Sequence, residues 1–101
     1  MSMQSLGSIL SALLKREGLA DAAEGWRAVS DWAELAGPRL ARHSRAVSFR
    51  DGTLIVEVEG SAWMHELGFL RKELVHKVNQ HLGSDAVRDV RLVVARGGSL
   101  R

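Results

Sequence analysis

The spacing of apolar residues along this chain changes from three-and-four to two, back to three-and-four, and to two again. Leu6, Ile9, Leu10, Leu13 and Leu14 recur at i, i+3, i+4, i+7 and i+8, which is one face of an amphipathic helix, and Gly18 ends it. A second helix is predicted from about Asp21, an N-cap whose carboxylate can accept orphan amide hydrogens, to about Ala36. Trp26, Val29, Ala33 and Ala36 form its stripe, with Trp32 beside it. Gly37-Pro38 interrupts the helix, since proline cannot continue the hydrogen-bond ladder, and Arg39 to His43 form a short turn displaced in direction. Alternation then takes over. Val47 and Phe49 share one face of a strand, and Leu54, Val56 and Val58 one face of the next, with Ser48, Arg50, Glu57 and Glu59 opposite. Asp51-Gly52 lies between the two runs, and both residues tolerate the positive φ that a type I′ hairpin turn demands.

From Ser61 to Leu82 the spacing of Trp63, Leu67, Leu70, Leu74, Val78 and Leu82 predicts one helix of about six turns, with Ser61 as N-cap and Gly83 as C-terminal stop. Val87 to Ala95, with Val90, Leu92 and Val94 alternating, reads as a third strand, and residues 97–101 as a flexible tail. The order α-α-β-β-α-β predicts a two-layer α+β domain over residues 1–96, a three-stranded sheet with helices packed on one face. The third strand, reached through a helical crossover, can pair in parallel with a hairpin strand. This inventory is K-homology-like. The G-x-x-G loop that clamps RNA in that fold is absent, because no two glycines are three apart.

Composition narrows the chemistry. The 101 residues include no cysteine, so a disulfide framework or thiolate metal site is excluded, which suits a reducing cytoplasm. The N-terminal charges follow the apolar run instead of preceding it, the wrong order for a secretory signal. No apolar run approaches the roughly 20 residues that span a bilayer, so no membrane partner is expected. Net charge is only +2, but its distribution is uneven. Arg39, Arg42, His43, Arg45 and Arg50 fall in a segment without an acid, whereas Glu17 to Glu34 carries five acids and one arginine. Such a run is a phosphate-binding surface or a solvated face. Arg71 and Lys72 on the long helix can extend it, and Lys77 can serve phosphate or a protein partner. Four phosphate contacts would give a log–log salt slope of about −3 to −4.

Catalytic motifs are missing. His65-Glu66 begins like H-E-x-x-H, but Phe69 stands where the second zinc ligand would be. His76 and His81 are five apart and share no face well. Neither a G-x-S-x-G elbow nor a P-loop occurs. No enzyme activity, cofactor, metal or small-molecule substrate is therefore expected. Trp63 and Trp32 read as core residues, with the Trp63 ring closing the core against the sheet. Trp26, near the acidic part of its helix, is the tryptophan best placed for a partner contact.

Taken together, Trp32, Gly37, Leu40-Ala41-Arg42-His43-Ser44, the run Asp51 to Val58, Ser61-Ala62-Trp63, Glu66-Leu67 and Leu70 resemble the DciA family over about residues 5 to 95. The resemblance implies a non-enzymatic adaptor of bacterial DNA replication, nucleoid-associated in the cytoplasm. Its implied partners are the replicative DNA helicase and single-stranded or forked DNA. It also implies no nucleotidase activity, in keeping with the missing P-loop. Many members carry a long basic extension; a chain that stops soon after its last strand should bind DNA more weakly. Two other readings stay open: a K-homology-like RNA-binding module in translation or ribosome biogenesis, and a dimerising scaffold that uses a sheet edge.

Overall fold

The computed structural model describes residues 7–10, 12, 19–98 and 100. Residues 7–10 and 12 are helical and exposed; the rest of the helix expected over 6–14, and the stop at Gly18, lie outside the described residues. The elements that follow are α1 (Leu19–Ser30), α2 (Trp32–Ala36), α3 (Pro38–Ala41), β1 (Ser44–Arg50), β2 (Thr53–Val58), α4 (Gly60–Phe69), α5 (Arg71–Leu82) and β3 (Asp89–Val94). The architecture is α+β, a three-stranded mixed sheet with helices packed against it, in the order the periodicity predicts.

Strand β2 is central, antiparallel to β1 and parallel to β3. Asp51 and Gly52 both have positive φ, 51° and 80°, the pair of values that a type I′ turn needs. The Gly52 carbonyl then accepts from the Arg88 amide at 2.7 Å and so anchors the start of β3 to the hairpin. Leu54, Val56, Val58 and Val90 point into the core with Leu67, Leu74 and Val78 from the crossover helices. The opposite sheet face carries Arg45, Ser48, Arg50, Thr53, Ile55, Glu57 and Arg91.

Several boundaries differ from those read in the sequence. Strand β1 begins at Ser44, and its register shifts between Ala46 and Ser48. Val47 is the extra residue of a β-bulge, so Ala46 and Phe49 are buried in place of the expected Val47 and Phe49 pair. A bulge changes the parity of side chains on either side of it, which strict alternation cannot anticipate. The second predicted helix is divided at Asp31 (φ −95°, ψ 8°). It starts at Leu19, which puts Asp21 within the first turn, where its charge complements the helix dipole, and not at the cap. Its buried residues are Gly25, Ala28, Trp32, Leu35 and Ala36; of the expected stripe Ala36 is buried and Val29 packs against the core, while Trp26 and Ala33 are exposed.

The long helix is likewise two helices. Leu70 (φ −95°, ψ 5°) bends the chain, its amide donating to Leu67 O at 3.0 Å as in a tighter turn. Gly68 lowers helix propensity just before the bend, and the bend lets α4 and α5 both pack on β3 of the twisted sheet. The N-cap of α4 is Glu59, without a side-chain bond, so Ser61 lies inside the helix. Gly83 does terminate α5, in the left-handed region with its amide on Asn79 O. Strand β3 spans Asp89–Val94, and Arg96–Gly98 closes in a single 3-10 turn at the start of the expected tail.

Candidate nucleic-acid interface

The predicted arginines fall at two ends of the sheet. Strand β1 carries Arg45 near its start and Arg50 at its end, so five rises of about 3.3 Å separate them. At the lead-in end, α3 and the first residues of β1 present Arg39, Arg42, His43 and Arg45. A buried polar tie holds this end in place. The Trp32 indole N–H donates to Ser44 Oγ at 3.0 Å, and the Ser44 hydroxyl donates to the Leu40 carbonyl.

This segment has no acid of its own, but the fold supplies them. Arg39 pairs with Glu66 of α4, and Arg45 pairs across the strands with Glu57 at 2.9 Å. His43 Nδ1 lies 3.9 Å from a Glu59 carboxylate oxygen. Trp63 is half-buried, with its ring stacked on His43 at 4.2 Å between centroids and the Arg39 guanidinium carbon 5.3 Å from its ring centre. It therefore caps the core from the rim instead of filling it. Of the three arginines in this group, only Arg42 has no ion-pair partner among the described residues.

The hairpin-turn end gathers a second basic group. Arg50, Arg71 and Arg91 line an open groove of about 570 Å³ beside β3, together with Thr53, Ile55, Met64 and Leu92. An adjoining groove shares Gly68, Arg71 and Asp89 with the first and adds Phe69, Lys72 and Arg88. Arg71 makes a bidentate pair with Asp89, with nitrogen–oxygen distances of 3.0 and 3.1 Å, which ties the α4–α5 bend to the first residue of β3. Arg88 Nη2 donates to the Asp51 carbonyl at 2.9 Å. Arg50, Lys72 and Arg91 are exposed and have no ion-pair partner among the described residues.

The structure thus brings Arg50, Arg71 and Lys72 together, and separates Arg50 from Arg39, Arg42, His43 and Arg45. Trp26 is half-exposed on α1, and Lys77 is exposed on α5. Arg88 and Arg91 escaped the sequence reading because each adjoins or nearly adjoins Asp89, and a linear scan for acid-free runs passes over them. The parallel register is what places Arg91 beside Ile55 on the outer face.

Among the described residues, Asp31, Glu34 and His81 bring ligand-type atoms within 4.8 Å of one another. His81 Nε2 lies 3.0 Å from Asp31 Oδ2, and Arg27 Nε is 3.7 Å from that same oxygen. These contacts make a polar tie between α5 and the Asp31 bend, and the guanidinium would repel a dication there. No helix among the described residues is long and apolar enough to cross a membrane.

A family model described as Dna[CI] antecedent, DciA, matches residues 5–92. A UPF0232 protein of Corynebacterium glutamicum is 28% identical over 99 residues, covering 97% of this chain and 55% of that protein. A UPF0232 protein of Mycobacterium tuberculosis is 28% identical over 89 residues, or 88% of this chain and 48% of its own length. One from Mycobacterium leprae is 31% identical over 90 residues, again 88% of this chain and 47% of its own. The chain spans about half the length of the curated relatives it matches.

Proposed function

The chain belongs to the DciA family, and from that membership we propose that it is a non-enzymatic adaptor of DNA replication that binds the replicative helicase and DNA and assists helicase loading. The family match across residues 5–92 is the observation that carries this reading. The mechanism it suggests needs no bond made or broken by this chain. One surface holds the helicase and another neutralises phosphates, so the two partners are held together and their encounter becomes intramolecular.

The turn-end arginines suit the DNA role. Arg50 and Arg91 lie exposed on the outer sheet face and Lys72 on the adjoining helix, each without an acid partner among the described residues. Guanidinium and ammonium groups so placed bind a phosphodiester backbone through charge, with little preference for sequence. Half-exposed Trp26 and exposed Lys77 are proposed for the helicase side, where a partly exposed aromatic can anchor a protein contact.

A loading assay tests the proposal. The replicative helicase of the same organism is incubated with forked DNA, with and without this chain, and the helicase retained on DNA is measured. Retention should rise with the chain present, and Arg50→Ala/Arg91→Ala should reduce the rise. Equal retention in the presence and absence of the chain would overturn the reading.

A further inference from the structure

Phe69 is 80% exposed, the most exposed of the large apolar side chains among the described residues, and the core makes no use of it. It ends α4 at the bend before Leu70. The His65 ring meets it at 86° with centroids 5.2 Å apart, so the two rings do not stack, and with this exposure a phenyl face is left open. The groove it lines also holds Arg71, Lys72 and Arg88, against Glu73 and Asp89. Asp89 is already neutralised by the bidentate pair with Arg71. The adjoining groove continues through Gly68 and Arg71 to Arg50 and Arg91, with Asp51 as its further acid.

We propose that this corner is a single-stranded nucleic-acid subsite, in which one unpaired base stacks on Phe69 while the flanking phosphates are met by Lys72 and Arg88 and, across the sheet at its hairpin-turn end, by Arg91 of β3 and Arg50 of β1. The inference deepens the DNA-binding part of the function proposed above and rests on it. An exposed aromatic ring beside a cationic groove is the arrangement that binds single strands without sequence preference, because every base offers a π-face and every linkage a charge. Duplex DNA keeps its faces stacked internally, so the ring would discriminate strand state while the cations supply affinity. The bend at Leu70 is what presents the ring: in an uninterrupted helix Phe69 would sit midway along a straight face.

Fluorescence anisotropy with a labelled oligo(dT) of about 16 nucleotides tests this on the full chain, with an oligo(rU) of the same length and a duplex in parallel. Phe69→Ala should weaken oligo(dT) or oligo(rU) binding roughly 5- to 150-fold, and the larger loss identifies the preferred sugar. Duplex binding should not change. Phe69→Trp should restore single-strand affinity and gain indole fluorescence that the oligonucleotide quenches, relative to the parent chain. Lys72→Ala should weaken all three ligands and reduce the log–log salt slope by about 0.7 to 0.9.

The ring's exposure makes unfolding of Phe69→Ala no obstacle, and its circular dichroism should match the parent. If Phe69→Ala binds single strands as the parent does, the subsite is overturned while DNA binding as such stands. Should Phe69→Ala keep oligonucleotide affinity but lose the helicase, the ring is a protein contact and the subsite is equally overturned. A parent chain that binds no nucleic acid at about 50 mM salt would remove the DNA-binding reading itself.

Discussion

Ser44 is 2% exposed, the one buried polar side chain among the described residues, and both of its hydrogen bonds are made. It joins α2, α3 and β1 at the point where the lead-in arginines depart from the core. Ser44→Ala leaves the buried Trp32 N–H without an acceptor, so it should cost about 1–3 kcal/mol, read as a lower midpoint in urea. An unchanged midpoint would mean that another acceptor takes over. Trp32 was legible as core from its place beside an apolar stripe; its partner twelve residues away was not, because a bond between elements leaves no periodic trace. Trp63 shows the same limit. Its spacing placed it on the buried stripe, but the structure sets it at the rim against His43 and Arg39. Trp63→Ala should therefore cost less than the roughly 3–5 kcal/mol of a fully buried ring, as measured by denaturant unfolding.

Two glycines separate what helices gain from what packing demands. Gly25 sits in α1 directly over Phe49, and an added Cβ would overlap that ring. Gly25→Ala should destabilise by about 1–3 kcal/mol through overpacking, although alanine is the better helix former. Gly68 has open space where a Cβ would go. Gly68→Ala should stabilise by about 0.5–1 kcal/mol, seen as a higher melting temperature, and a loss there would mean that the bend depends on glycine. The hairpin, its turn and the parallel third strand were legible because Asp51-Gly52 and strict alternation act locally. The breaks at Asp31 and Leu70 were not, since the apolar spacing runs through both without interruption. What bends the chain there is packing against a twisted sheet, a tertiary effect. The bulge at Val47 hid for a related reason: it keeps β-type residues and alters only their parity.

On the scale of the molecule, charge is organised by contact and not by position in sequence. The acid-free run Arg39 to Arg50 meets Glu57, Glu59 and Glu66 from other elements, while Arg88 and Arg91 join Arg50, Arg71 and Lys72 around two adjoining grooves at the hairpin-turn end. DNA affinity should follow the second group. Arg50→Ala/Arg91→Ala should lower the log–log salt slope for single strands by about 1.4, and Arg42→Ala/Arg45→Ala by less, because Arg45 is engaged with Glu57. The reverse order would restore the lead-in run as the phosphate surface. DNA binding alone would still be compatible with many roles; association with the helicase is what the proposed loading role requires. The direct measurement is light scattering after size exclusion of this chain mixed with the replicative helicase of its own organism, each at about tens of micromolar, a range that captures affinities of about −6 to −8 kcal/mol. The account predicts a complex heavier than the helicase alone that contains both proteins; separate elution at their individual masses would contradict it.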